Sequence, residues 1–479
     1  MAPREIVGDN ARVTRLTTLL TLIAAVACRP STPLEGARPN IVFILADDLG
    51  WADVGYQGSS FHTTPRIDAL ARSGMVFSNS YASSPVCSPT RLSFLTGQNP
   101  ARHGMTKALH PGVMGGQRGT PVDGPQENEW WEPILQDHLP SSETTIAERL
   151  RDGGYRTGLI GKWHLGEPLA DEHGFDVTIG TAKLAGPATY FSPYGLGTLP
   201  DGPEGEYLTD RITLEAVKFI KESRGRPFFL YLSHFAPHSP WEAKAELIEK
   251  HQGRVDPDAL QKNPIYAAMI ESLDDSVGRI VATLEELGIA GDTLLIFTSD
   301  NGALTERWLR RKSKHRTLFE ITSNAPLRGG KGKLYEGGLR VPTIVSWPGV
   351  IEAGTRCDVP IITTDFYPTF LALAGLPRGD QILDGVDITP LLEGKTSLER
   401  DALYFHFPHQ TLACGMRKGD EKLVHFFDGR TELYDLGDDP GEENDLAAAR
   451  SVRAGELKGE LFDWLEGIGA VLPVRNPAF

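Results

Sequence analysis

Cysteine is scarce in this chain, four among 479 residues, and no two form a Cys-x-x-Cys pair. That excludes a disulfide-stapled scaffold and a thiolate zinc site. No Lys/Arg-rich run occurs and the net charge is −15, so nucleic-acid binding has no electrostatic support. Beyond the N-terminal region no apolar run is long enough to cross a bilayer. Neither an internal repeat nor a low-complexity tract is visible. What is present is a chain long enough for a large core, with acidic and basic residues interspersed.

The N-terminal region stands apart from the rest. Arg4, Arg12 and Arg15 precede LTTLLTLIAAVAC, the arrangement of a secretory signal. The small residues before Cys28 resemble a bacterial lipoprotein box; ordinary cleavage near Ala27 is the alternative, and Glu5 and Asp9 are untypical of such a leader. The expectation is an exported protein, periplasmic or anchored to the outer membrane by lipid at Cys28. Residues 1–28 are the signal and 29–37 a linker.

The body begins at NIVFILADDLG. IVFILA is a short unbroken apolar run, the pattern of a strand buried on both faces. Similar runs recur in RTGLIGKWHLG, PFFLYLSHFAPH, DTLLIFTSDNG and VPTIVSWPG. Helical patterns separate them: SETTIAERLRDGG, where Ser142 is a possible cap, LTDRITLEAVKFIKESRG and NPIYAAMIESLDDSVGRIVATLEELG. Alternation of this kind predicts an α/β fold, a large mostly parallel sheet sandwiched by helices, over residues 38–395. From 396 to 479 short alternating strands and a terminal helix predict a small α+β C-terminal subdomain. Cys357 and Cys414 read as isolated buried thiols, with a disulfide between them left open.

In such sheets ligands gather beyond the carboxyl ends of the strands. Two predicted strands end in hard oxygen donors there: IVFILA in Asp47–Asp48, and LLIFTS in Asp300–Asn301. As parallel neighbours they converge, and a divalent cation, Ca²⁺ or Mg²⁺, is the natural occupant. Alone, either pair reads more readily as turn chemistry. Lys162 and His164 in GKWHLG, His234 and His238 in HFAPHSP, and Lys331 or Lys333 in LRGGKGKLYEGG bring cations and proton donors to matching places. In SSPVCSPTRLSFLTG, Ser88 reads as a helix cap and Gly97 as its end, which sets Cys87 at a helix N-terminus with Arg91 one turn on. Those features alone fit a buried filler or a low-pKa thiol. Taken together, the set suits attack on a sulfate or phosphate ester.

CSPTR at 87–91 fits the C-x-P-x-R maturation signature. With ADDLG, GKWHLG, PHSP, TSDNG, LRGGKGKLYEGGLRVP and ELYDLGDDPGEENDLA in order, the chain resembles the type I, formylglycine-dependent sulfatases of the alkaline-phosphatase-like superfamily. The resemblance runs from about residue 38 to about 448. It implies that a formylglycine-generating maturation enzyme oxidises Cys87 to Cα-formylglycine, whose hydrate carries the nucleophilic oxygen. It further implies Ca²⁺ ligation by Asp47, Asp48, Asp300, Asn301 and residue 87. Arg91 and His164 would hold the gem-diol, Lys162 and Lys331 the sulfate, and His238 would protonate the leaving alcohol. Lys331 is preferred to Lys333 by its spacing to Glu336–Gly337–Gly338; His234, His103 and Arg328 are weaker candidates. The region DEHGFDVTIGTAKLAGPATYFSPYG is similar to that of glycan sulfatases acting on galacto-configured sugars. His173 and Asp176 are therefore expected to bind substrate, a galactose- or N-acetylgalactosamine-sulfate glycan, with Trp131 and His110 as further sugar contacts. The alternatives are a phosphonate monoester hydrolase or phosphodiesterase of the same superfamily, and a catalytically inactive glycan-binding protein.

Overall fold

The computed structural model describes residues 34–109, 129–133, 135–181, 186–305, 320–477 and 479. The signal, the Cys28 anchor and His110 lie outside them. Among the described residues no helix is long and apolar enough to cross a membrane.

The central sheet has eight strands. In chain order they are β1 (Asn40–Ala46), β2 (Met75–Phe77), β3 (Arg156–Gly161), β4 (Val177–Ile179), β5 (Phe228–Ser233), β6 (Thr293–Ser299), β7 (Thr343–Ser346) and β8 (Thr355–Cys357). Across the sheet they run β8-β2-β7-β6-β1-β5-β3-β4. All pairings are parallel except those of β7, which opposes both β6 and β2. The fold is thus the expected mostly parallel α/β sheet, with VPTIVS as the antiparallel exception.

The unbroken apolar run of β1 explains its central place. Ile41, Phe43 and Leu45 enter one core, while Val42, Ile44 and Ala46 enter the other. The first core is closed by α2 (Cys87–Thr96), α3 (Ile146–Asp152) and α6 (Phe366–Ala374); Phe43 stacks on Phe94 at 4.0 Å. The second is closed by α1 (Pro65–Ser73), α4 (Leu208–Glu222) and α5 (Pro264–Glu286). Burial on both faces leaves the strand ends as the place where polar groups collect.

Local signals correct two caps. Helix α3 is capped by Thr145, not Ser142: Thr145 accepts from the Glu148 amide and Glu148 returns the bond to the Thr145 amide. Helix α2 begins at Cys87 itself, with Val86 as N-cap and no side-chain cap. Ser88 lies within the helix, its Oγ accepting from the Leu109 amide. Gly97 ends the helix in the left-handed region, as the sequence predicts.

Beyond residue 396 four antiparallel strands follow: β9 (Leu403–Phe407), β10 (Ala413–Lys418), β11 (Glu421–Phe426) and β12 (Thr431–Asp435). Helix α7 (Ser451–Gly467) covers one face with Leu457, Leu461 and Leu465. The other face packs Phe405, Phe407 and Val424 against Tyr81, Leu334 and Leu339. The small sheet is therefore a wall behind the loop that carries Lys331, within the single unit Pro33–Phe479. Cys87, Cys357 and Cys414 are all free and buried.

One glycine shows how the sheet aims its ends. Gly161 closes β3 at φ +107°, and a Cβ there would stand 1.8 Å from the Ser233 carbonyl oxygen. That approach lets the Lys162 amide donate to the same oxygen at 2.8 Å. Gly225 has φ +94° but open space around it. Gly161→Ala should therefore lose at least about 2 kcal/mol more stability than Gly225→Ala in denaturant titration.

Candidate active site

Because β1 and β6 are adjacent and parallel, Ala46 pairs with Ser299 and both chains run on into acidic residues at one edge. Asp47, Asp48 and Asp300 meet there out of water, with Asn301 beside them. Asp48 takes a left-handed backbone, φ +65°, and its amide donates to Asp300 Oδ1 at 3.2 Å. The Asn301 amide nitrogen donates to Asp48 Oδ1 at 2.7 Å. Such clustering requires cations nearby.

Three cations are present. Arg91, fully buried, donates through Nε and Nη2 to Asp300 Oδ2 at 3.0 and 2.6 Å, and Nη2 lies 3.8 Å from Asp47 Oδ1. Lys162 Nζ donates to Asp47 Oδ2 at 2.5 Å. Lys331 Nζ bridges Asp48, 2.6 Å from Oδ1 and 2.8 Å from Oδ2. Burial would raise Asp48, but Lys331, His238 and Lys162 outweigh it and hold its carboxyl well below the usual range. Asp300 behaves oppositely: burial and the Asp47 charge raise it to about 6 against Arg91 and Lys162.

Cys87 sits in the middle of these charges. Its Sγ is 3.4 Å from Asp47 Oδ1, 3.9 Å from Asp48 Oδ1 and 3.4 Å from Lys331 Nζ. Burial pushes the thiol far above its ordinary value, and Lys162 and Lys331 only partly counter it. The low-pKa thiol that the helix N-terminus suggested is not what the surroundings produce. Desolvation outweighs both the dipole and the lysines, so the thiol is a poor nucleophile here.

Two histidines border the cluster. His238 Nδ1–H donates to the Ser239 carbonyl at 2.7 Å, which leaves Nε2 facing Asp48 Oδ2 at 3.7 Å. Burial and Lys331 depress it to about 3, against the pull of Asp48. His164 Nε2–H donates to the Leu109 carbonyl at 2.9 Å, and Nδ1 is buried without a hydrogen bond among the described residues. Two residues apart, Lys162 and His164 would project to the same side if the backbone stayed extended. Instead β3 stops at Gly161 and His164 turns back at φ +59°, so both are buried by a loop, not by strand alternation.

The donor set fits a divalent cation. Asp47, Asp48, Cys87 and His238 present ligand atoms all within 4.8 Å of one another. The Asn301 carbonyl Oδ1 is buried and accepts no hydrogen bond among the described residues, a free hard donor beside them.

Other expected contacts go elsewhere. His173 is buried and stacks on Trp163 at 5.5 Å. Asp176 accepts from the Thr157 amide at 3.0 Å, near the start of β3, whose far end carries Lys162. At a strand rise of about 3.3 Å per residue, Asp176 belongs to the opposite edge of the sheet. The structure brings neither residue to the cluster. His234 turns to Ser276 on α5 (3.0 Å), and Arg328 covers the Tyr335 ring and bonds Tyr434. Trp131 pairs in a short ladder with Val474. Tyr266, which the sequence reading missed, reaches the Asp48 carbonyl at 3.0 Å and Asp53 Oδ2 at 2.8 Å, supporting the strained Asp48 backbone. It lies on a helical face with no local chemical signature, and only its place against β1 reveals the role.

The chain as a whole is similar to known proteins. A family model described as Sulfatase matches residues 39–376, and one described as N-sulphoglucosamine sulphohydrolase, C-terminal, matches 330–466. The chain is 31% identical over 487 residues to N-acetylgalactosamine-6-sulfatase of Mus musculus, covering 89% of this chain and 84% of that one. It is 31% identical over 491 residues to arylsulfatase A of Bos taurus, covering 95% and 88%. A crystal structure of Ps i-CgsB in complex with k-i-k-neocarrahexaose superposes with a TM-score of 0.74 at 30% identity, covering 89% and 93%.

Arg91→Met leaves Asp300 buried without its main partner. Burial and Asp47 push Asp300 toward the neutral acid, so the part of the penalty owed to its lost ion pair is small near the ordinary value of 3.8 and grows as pH rises through 6. The lost bonds to the Lys162 carbonyl and Ser233 Oγ add a part that does not vary with pH. Urea titrations in EDTA should show a deficit that widens with pH to about 3–5 kcal/mol above neutrality.

Proposed function

The chain belongs to the sulfatase family, and from that premise we propose that it removes sulfate from a glycan carrying galactose- or N-acetylgalactosamine sulfate. One observation carries the reading. Residue 87 lies at the focus of three carboxylates and three permanent cations, within 3.4 Å of both Asp47 and Lys331. Support for the sugar comes from a relative named for N-acetylgalactosamine 6-sulfate and from the neocarrahexaose bound to the similar crystal structure.

In this reading a maturation enzyme converts Cys87 to Cα-formylglycine, whose hydrated aldehyde supplies an oxygen nucleophile where the raised thiol would supply none. Ca²⁺, with Mg²⁺ as the alternative, would be held by Asp47, Asp48, Asp300, Asn301 and residue 87, and would supply fixed positive charge for the sulfate oxygens. The chain's own groups do the rest. Lys162 and Lys331 approach from two sides and grip the sulfate. Arg91 holds Asp300 and faces the charge that develops at residue 87. His164, committed by its Nε2–H to the Leu109 carbonyl, offers Nδ1 as acceptor for a proton on residue 87.

His238 is the proton donor to the leaving alcohol. Its Nδ1–H is taken by Ser239, so the mobile proton is the one on Nε2. Burial is the larger cause of the low value and persists in the complex. A sulfate ester between Lys331 and Lys162 offsets the part those two cations contribute and moves His238 toward a working acid.

The test is release of free sulfate from galactose 6-sulfate and N-acetylgalactosamine 6-sulfate by protein co-expressed with a maturation enzyme, beside an aryl phosphate diester. Turnover of a sulfated sugar is expected. Failure on every sulfated sugar overturns the glycan reading, and faster phosphodiester hydrolysis favours the phosphohydrolase alternative. His238→Ala should lower kcat/KM on sugar sulfates by about 10²–10⁴-fold, and far less on p-nitrophenyl sulfate, whose leaving group needs no proton. Chelation with EDTA should remove about 2–3 kcal/mol of stability when compared with Ca²⁺ at about 100 times its Kd; Ca²⁺ readdition restores it in thermal melts.

A further inference from the structure

The loop between β9 and β10 carries two residues in a conformation that side chains disfavour: Gln410 at φ +49° and Leu412 at φ +48°. Named bonds hold them there. The Gln410 amide donates to Glu132 Oε1 at 3.1 Å, and the Leu412 amide to the His409 carbonyl at 3.1 Å. Glu132 is itself fixed by His409 Nδ1 at 3.0 Å and Lys107 Nζ at 3.2 Å, while His409 Nε2 meets Thr106 Oγ1 at 2.9 Å.

The same loop rests on the backbone of the segment that carries Lys331. Thr411 Oγ1 donates to the Gly332 carbonyl at 2.5 Å. Gly332 follows Lys331, and its own amide donates to the Pro85 carbonyl at 2.9 Å, two residues before Cys87. Gln410 Oε1 stands 3.5 Å from where a Cβ on Gly332 would be. His409 is buried, yet Gln410 is exposed. Strain and bonding together thrust one uncharged polar side chain out beside the sulfate-gripping lysine.

We infer that Gln410 is a specificity-determining residue, which hydrogen-bonds a hydroxyl or acetamido group of the sugar that carries the sulfate. Glu132 and His409 are its positioning residues. The inference rests on the glycan-sulfatase reading above. A side-chain amide offers both donor and acceptor without charge, which matches a neutral sugar hydroxyl, itself both donor and acceptor. Strained backbone held by an over-determined frame is where binding function concentrates. Glycine accepts this φ without penalty, so glycine would be the more stable choice if the side chain had no task.

The experiment compares kcat/KM on N-acetylgalactosamine 6-sulfate or galactose 6-sulfate, whichever the matured wild type turns over faster, with that on p-nitrophenyl sulfate. Gln410→Ala and Gln410→Gly should each lower the sugar-to-aryl ratio about 10- to 100-fold, the effect of one lost hydrogen bond with an unpaired partner. Gln410→Gly should also raise the urea midpoint. A ratio that moves less than about twofold in both variants overturns the inference while leaving the sulfatase reading intact. A wild type that cleaves p-nitrophenyl sulfate but neither sugar sulfate overturns the glycan reading first, and this inference with it.

Discussion

Asp47, Asp48 and Asp300 meet in a dry space at the ends of two adjacent parallel strands, and the rest of the molecule answers that arrangement. Three carboxylates in low dielectric are tolerable only with charge of the other sign in contact. Arg91 comes from a helix buried along its whole length, Lys162 from the end of a third strand, and Lys331 from a loop backed by the C-terminal sheet. In the proposed reading each cation would have a second task, because the charges that make the carboxylates bearable are those a sulfate ester needs. A divalent cation and a sulfate product entering together add no net charge to this balance.

The backbone bears the cost of that convergence. Asp48 and His164 sit in the left-handed region, and Gly161 approaches Ser233 more closely than any side chain permits. A similar approach holds the lysine loop, since a Cβ on Gly302 would stand 1.9 Å from the Gly337 carbonyl oxygen. Glu336 then ties this loop to the small sheet through the buried Lys422 at 2.8 Å, and accepts from Tyr81, which packs against that sheet, at 2.7 Å. The C-terminal lobe is thus part of the site's frame, and its β9–β10 loop bonds the backbone of Gly332, next to Lys331.

The sheet was legible from IVFILA, LLIFTS and their kin, because strands buried on both faces leave an unbroken apolar signature. The acidic strand ends were legible because two such pairs at equivalent places favour a site over turn chemistry. Orientation was less so. VPTIVS carries no mark of its antiparallel run, and GKWHLG gives no sign that His164 turns back. The cap of α3 was missed because five hydroxyl or acidic residues in a row, Ser141 to Thr145, compete for one position. His173 and Asp176 misled because an irregular loop has no periodicity from which to tell a strand's start from its end. Tyr266 and Gln410 escaped notice because their roles exist only in three dimensions. The thiol of Cys87 was the subtlest case, since the helix terminus argues one way and burial, which the sequence does not display, argues the other.

The central claim is that residue 87 acts as an aldehyde hydrate and not as a thiol. Mass spectrometry of the proteolytic peptide spanning residue 87, taken from protein that is turning over sulfate ester, tests it most directly. The account predicts a formylglycine residue in place of cysteine, in a fraction that scales with specific activity across preparations. An intact thiol in fully active protein would contradict it.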